Sequence, residues 1–121
     1  MPEPLTLTVS LRGTREVKES YQLVRLTGLL DAFSEPTFKK VLTKLVDDGP
    51  KNIVLDLSKI DFVDSSGLGS LVLLFKKIQT DQGSLQIVTN SRVTQTMKMV
   101  HLEQFFSLHT TVESAVEKIK A

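Results

Sequence analysis

The sequence predicts an α/β domain: a mostly parallel β-sheet with an N-terminal antiparallel hairpin strand and about four helices. Three observations predict it. From Tyr21 onward, short β-branched apolar runs alternate with segments whose apolar residues recur every three or four positions. Turn formers such as Gly49-Pro50 and Gly83 separate the two kinds of segment. Ahead of them, Leu5, Leu7, Val9 and Leu11 alternate with polar residues in the period of a half-buried strand. At 121 residues the chain suits one domain, residues 1–121, with its own core.

Leu5 to Leu11 is expected as the first strand, with a polar connection from Gly13-Thr14 through Glu19. Tyr21, Leu23, Val24 and Leu26 form the second, paired with the first as a hairpin and ending at Gly28, before a turn with Asp31. A helix starts at Ser34 or Glu35, where Pro36 in the opening turn loses no hydrogen bond. Phe38, Val41, Leu42 and Leu45 are its inner face, Lys39, Lys40 and Lys44 its solvated one, and Gly49-Pro50 its stop. Ile53, Val54, Leu55 and Leu57 make a central strand buried on both faces, followed by a polar break before Phe62-Val63. Leu68, Leu71, Val72, Phe75 and Ile78 are the stripe of a helix running to about Asp81.

Leu85, Ile87 and Val88 make another short buried strand, and Asn90-Ser91 caps a helix carrying Val93, Met97 and Val100. Phe105, Phe106 and Leu108 form a last strand. Thr110 followed by Glu113 has capping-box spacing, and opens a helix with Val112, Ala115, Val116 and Ile119 inward.

Composition excludes several functions. A net charge of +1 with scattered Lys and Arg gives no footprint for nucleic acid. No cysteine is present, so disulfides and thiolate metal sites are impossible. Two histidines, His101 and His109, are expected as surface or packing residues, and nothing has metal-ligand spacing. Asp56 and Asp61 read as a strand-end and a loop aspartate. Met97 and Met99 read as core filler. Met1-Pro2-Glu3-Pro4 lacks the pattern of a signal peptide, and the apolar run Leu71 to Phe75 is too short to span a bilayer. A cytoplasmic protein without direct membrane insertion is the expectation.

Catalytic patterns fail too. Neither Ser65 nor Ser66 is framed as Gly-x-Ser-x-Gly, so a serine hydrolase lacks its elbow. Gly67-x-Gly69 meets Val72 where a dinucleotide fingerprint needs glycine, and no Gly-Lys-Ser/Thr supplies a nucleotide phosphate loop. No cofactor is expected, and no enzymatic activity.

What remains is Asp64-Ser65-Ser66-Gly67, where a strand ends and a helix begins. Asp and Ser suit an N-cap. Gly67 and Gly69 need another reason, since glycine in a helix costs about 0.5–1 kcal/mol relative to alanine. Two of them suggest a close approach by backbone or partner. In a parallel sheet, the turns at Asp31, at Asp64-Ser65-Ser66 and at Thr89-Asn90-Ser91 should gather at one edge as a polar patch.

Three stretches carry a resemblance: Val24-Arg25-Leu26-Thr27-Gly28-Leu29-Leu30-Asp31, Ile53-Val54-Leu55-Asp56-Leu57 and Phe62-Val63-Asp64-Ser65-Ser66-Gly67-Leu68-Gly69. With the element order after them, the chain resembles a stand-alone STAS domain of the bacterial anti-sigma factor antagonists. The resemblance implies that Ser65 is phosphorylated by a partner anti-sigma factor that is itself a serine kinase. It implies that Asp31 lies close to Ser65, in an environment completed by Asp64, Ser66, Gly67 and Gly69. It further implies that the dephosphorylated form binds the anti-sigma factor and frees the sigma factor, and that a serine phosphatase resets the switch. Leu68, Leu73 and Leu74 are the candidate apolar contacts for the partner; Leu73 and Leu74 equally suit burial under a neighbouring helix. The alternative within the fold is a scaffold or accessory subunit, of a stressosome or a membrane-transport complex, in which Ser65 is only a cap.

Overall fold

The computed structural model describes residues 2–120. The elements run β1 (Glu3–Thr8), β2 (Leu11–Val17), β3 (Gln22–Leu30), α1 (Glu35–Asp48), β4 (Asn52–Val63), α2 (Ser65–Thr80), β5 (Ser84–Val88), α3 (Ser91–Met99), β6 (Ser107–His109) and α4 (Val112–Lys120). The six strands stand side by side in chain order, antiparallel from β1 to β3 and parallel from β3 to β6. Right-handed crossovers that all step the same way put α1, α2 and α3 on one face. There Phe38, Leu42, Leu71, Ile78, Val93 and Met97 share a core with Val24, Leu26, Ile53, Leu55 and Ile87. α4 turns back under the other face, where Ala115, Val112, Val116 and Ile119 pack on Leu23, Val54 and Val88.

The α/β class and the four helices are as expected; several boundaries are not. Leu5 to Leu11 is not one strand. The chain turns at Val9 and Ser10, and β2 runs through the residues expected as a polar connection. The turn contains no Gly, Asn, Asp or Pro, and the apolar alternation continues across it because Leu11 rejoins the same core. Gly13 lies inside β2, where a Cβ would stand 2.7 Å from Leu26 Cδ2 and 2.8 Å from the Arg25 carbonyl oxygen. Its signal is close strand packing, not a turn. β3 likewise passes Gly28 and ends at Leu30.

β4 shows no break at Ser58 to Asp61. It is continuous over twelve residues, with register shifts against β3 between Arg25 and Thr27 and between Gly28 and Leu29. Each shift inserts one extra β4 residue, so Leu57, Ile60 and Val63 fall inward at a spacing of three. That spacing is what resembled a loop. At the far end, the last strand starts after Phe105 and Phe106, which instead stack with Phe75 in a turn at centroid distances of 4.8–6.2 Å. Val100 lies beyond α3 and is exposed, as is Met99, whereas Met97 is core. The α4 cap is Thr111, whose Oγ1 accepts from Ser114 N at 3.1 Å, and not Thr110.

Two polar residues fasten the layers. Gln22 is fully buried at the start of β3; its Nε2 donates to the carbonyls of Leu45 and Pro50, and its Oε1 accepts from Arg15 Nε. Asn90 does the equivalent at the end of β5. Its Oδ1 caps α3 by accepting from Val93 N at 2.8 Å, while its Nδ2 reaches the carbonyls of Leu57, Ser58 and Ile60 at 2.9–3.5 Å. Those carbonyls belong to the bulged part of β4, so Asn90 holds the irregular strand in place. Asn90→Ala should cost about 2–3 kcal/mol, the sum of a lost cap and of carbonyls left without a donor. Asn90→Ser should recover about 1 kcal/mol, because it keeps the cap alone; urea unfolding of the two variants separates the roles.

His109 is a packing residue. Its Nε2 lies 2.9 Å from Gln86 Oε1 and its Nδ1 2.7 Å from Ser114 Oγ. Burial, and then the charge of Lys118, hold its pKa below the ordinary histidine range. The folded state therefore binds fewer protons than the unfolded one, whose histidine titrates near about 6.5. Its contribution is complete above that value and is lost as the pH falls below it. Thermal unfolding of wild type should weaken between about pH 7 and pH 5 more than that of His109→Gln.

Candidate functional site

β3 and β4 are neighbours and parallel, so the turns that leave them meet. Asp64 follows the last residue of β4 and is the N-cap of α2: its Oδ1 accepts from Gly67 N at 2.9 Å. Its Oδ2 accepts from Ala32 N at 3.0 Å, in the turn after β3. A third link runs from Asp64 N to the Leu30 carbonyl at 3.3 Å. One residue thus ends a strand, starts a helix and fixes the adjoining turn.

Asp31 lies in that adjoining turn, with its carboxylate turned to local work. Oδ1 accepts from the backbone N–H groups of Phe33 and Ser34, at 3.1 and 3.0 Å. The buried Ser34 hydroxyl donates to the Leu29 carbonyl at 2.8 Å and receives Asp31 N at 3.0 Å. The turn is therefore ordered by its own side chains before α1 begins at Glu35. Glu35 in turn accepts from the buried Ser70 hydroxyl of α2, which ties the first turns of the two helices together.

Ser65 and Ser66 occupy the first two positions of α2, and both are exposed. Capping is carried by Asp64, so neither serine is needed for it. The two glycines separate cleanly. At Gly67 a Cβ would sit 2.2 Å from the Leu30 carbonyl oxygen, so β3 itself demands glycine there. At Gly69 a Cβ would meet nothing within 4 Å.

The three turns do not all converge. Asp31 and Asp64–Ser66 share the end of β3 and β4, but Thr89-Asn90-Ser91 does not join them. β5 pairs with β4 only as far as Asp56 opposite Val88, so its turn faces the middle of the longer β4. Asn90 bonds the carbonyls of residues 57, 58 and 60, well short of Asp64. Strand length, which turn signals do not report, decides this.

Of the three leucines expected as partner contacts, two belong to the core. Leu68 is 3% exposed and Leu74 2%, both packed between α2 and the sheet; Leu73 is 51% exposed. The stripe turns inward at Leu71, Leu74 and Ile78, while Val72 and Phe75 flank it. Two other exposed apolar residues accompany the site and were not singled out in the sequence. Phe33, 68% exposed, lies in the Asp31 turn, and Phe62, 50% exposed, lies two residues before Asp64. Phe62 was hidden by the bulges, since its inward or outward direction depends on the two extra residues upstream.

Among the described residues no group of three or more His, Asp or Glu could hold a metal ion, and no helix is long and apolar enough to cross a membrane.

A family model for the STAS domain matches residues 14–115. An anti-sigma-B factor antagonist of Staphylococcus aureus is 25% identical over 97 residues, spanning 79% of this chain and 90% of that protein. An anti-sigma factor antagonist from Mycobacterium paratuberculosis superposes with a TM-score of 0.83 at 23% identity, over 97% of this chain and 100% of that one. The Bacillus cell fate determinant SpoIIAA, solved in its phosphorylated form, superposes with a TM-score of 0.69 at 17% identity, over 88% and 98%. By their names, the first two of these proteins are antagonists of anti-sigma factors, and the third is a cell fate determinant that takes a phosphorylated form.

The glycines give opposite expectations in one experiment. Gly67→Ala forces the Leu30 backbone aside and should destabilise by about 1–3 kcal/mol. Gly69→Ala replaces a helical glycine in open space and should stabilise by about 0.5–1 kcal/mol. Chemical denaturation of both variants beside wild type measures the pair.

Proposed function

Because the chain belongs to the STAS domain family, we propose that it is an anti-sigma factor antagonist switched by phosphorylation of Ser65. The dephosphorylated form binds an anti-sigma factor serine kinase and so frees the sigma factor. The kinase transfers a phosphoryl group from ATP to Ser65 Oγ and ends the interaction, and a serine phosphatase restores it. The observation that carries this reading is an exposed seryl hydroxyl at the first position of α2, on a tip held by another residue, Asp64. A serine needed only as a cap would make the hydrogen bond that Asp64 makes.

Gly69 and the exposed apolar residues support a docking surface around that hydroxyl. Gly69 costs helix stability with no internal contact to explain it. Leu73 lies about one turn beyond Gly69 on α2, Phe33 lies in the turn beside Asp64, and Phe62 lies two residues before Asp64 on the other face of the sheet. A partner docking along the exposed side of α2 from its tip would cover Gly69 and Leu73 and border Phe33.

The energetics favour a local switch. A phosphate adds about −1.5 to −2 charges at pH 7. At a helix N-terminus an anion gains about 0.3–1 kcal/mol, and the nearby carboxylates of Asp31 and Asp64 oppose it by a comparable screened amount. The fold therefore accepts the group. Covering it with a partner that offers no matching charge costs several kcal/mol, and each 1.4 kcal/mol is about tenfold in affinity.

The test uses a serine-kinase anti-sigma factor from the same organism. Mass spectrometry should place phosphate on Ser65 with Ser66 bare, and calorimetry should show binding lost on phosphorylation. Ser65→Ala should bind and resist the kinase, and Ser65→Asp should bind weakly. Gly69→Ala and Leu73→Ser should lower affinity by about tenfold without loss of stability. Amide spectra of the two phosphorylation states should differ around residues 31–34 and 62–69 alone. Phosphate on Ser66, or a phosphorylated form that binds as well as the free one, would overturn the assignment.

A further inference from the structure

α4 covers only part of its sheet face. Beyond Leu23, Val54 and Val88, which it buries, alternation along β3 brings Arg25 and Thr27 to the same face. Their partners on β2 are Thr14 and Arg12, and on β4 Asp56 and Lys59. Two rows result, each three strands wide: Thr14, Arg25 and Asp56, then Arg12, Thr27 and Lys59. With Ser58 they line a cleft of about 340 Å³.

The first β4 bulge makes this cleft cationic. In unbroken register Thr27 would pair with Ser58, and Lys59 would point toward α1 and α2. The extra residue pairs Thr27 with Lys59 instead and turns the lysine onto the open face. Asp56 is a buried mid-strand residue, not a strand-end one. Its Oδ1 accepts from Ser58 N at 2.9 Å, and its Oδ2 lies 3.6 Å from Arg25 Nη1. The Arg25 side chain, 57% exposed, is thereby oriented, and among the described residues most of its donors have no partner. Arg12 and Lys59 are exposed on either side of Thr27. Glu16, the next carboxylate along β2 on this face, is engaged by Lys18 at 2.8 Å. Three cations against one carboxylate leave two positive charges in a concave site, beside the hydroxyls of Thr14, Thr27 and Ser58.

We propose that this cleft binds a small phosphorylated molecule, with its phosphate held by Arg12, Arg25 and Lys59. Guanidinium groups match phosphate oxygens two at a time, a lysine adds a point charge, and the hydroxyls donate to the remaining lone pairs. The volume falls at the lower end of the range of small-ligand sites. The cleft lies across the sheet from α1 and α2, so the proposal is independent of the reading of Ser65.

The probe is pyrophosphate, titrated into the full chain with amide spectra and calorimetry as readouts. Saturable shifts should centre on residues 12, 14, 25, 27, 58 and 59. The double variant Arg12→Ala/Lys59→Ala, which spares the Arg25–Asp56 pair, should bind more weakly by about tenfold or more. Lys39→Ala/Lys40→Ala removes two exposed charges from α1 and should leave binding unchanged. The proposal fails if no saturable binding appears, if the shifts centre on the start of α2, or if the α1 variant loses as much. Binding of polyglutamate to the same residues without binding of pyrophosphate would also overturn it, in favour of an acidic protein partner.

Discussion

The two oxygens of the Asp64 carboxylate serve two different elements, and the candidate site depends on that division. Oδ1 closes the first turn of α2 and Oδ2 holds the turn that leads into α1. Neither bond is strong alone, since an N-cap contributes about 1 kcal/mol. Together they fix the angle at which α2 leaves the sheet relative to the Asp31 turn. The Leu30 carbonyl closes the same junction from the β3 side: it accepts Asp64 N and excludes any Cβ at Gly67. A hydroxyl at the next residue is then presented on a rigid support while remaining free of structural duty. This arrangement suits a modification site, which must be reachable by an enzyme and replaceable by a larger group without loss of the fold.

Much of this was legible in the sequence, for physical reasons that also mark the limits. The period changes at Leu68, at Val93 and at Val112 found three helices, and Asn90 announced its own cap. Asp64-Ser65-Ser66-Gly67 could be placed at a strand-to-helix junction because both flanking periods were clear. Strand irregularity was not legible. The bulges of β4 turned a twelve-residue strand into an apparent strand, loop and strand, and so hid Phe62, Lys59 and the buried Asp56. The leucines of α2 were ambiguous because Leu68, Leu71, Val72, Leu74, Phe75 and Ile78 contain two overlapping helical stripes. Which stripe is buried depends on the rotation that Asp64, Gly67 and the Ser70–Glu35 bond impose at the start of the helix. That is tertiary information. The same holds for the Asn90 turn, whose distance from Ser65 follows from β5 being far shorter than β4.

The bulges also bear on the relation between the two candidate sites. Lys59 and Ser65 are separated by six positions along β4 and its end, roughly 20 Å at about 3.3 Å per strand residue. The screening length at physiological salt is about 8 Å. That extended length is the most the segment can span, and screening over it weakens direct charge coupling between a phosphate at Ser65 and the cationic cleft. Stronger coupling has to travel through the strand itself. β4 beyond its first bulge is held by β3 on one side and, past the end of β5, by the Asn90 amide on the other. A ligand that draws Lys59 and Arg25 together would act on the register at the first bulge, upstream of the residues that set the direction of Phe62 and Asp64. The stiffness of that short bulged segment, more than electrostatics, decides whether occupancy of one face is felt at the other.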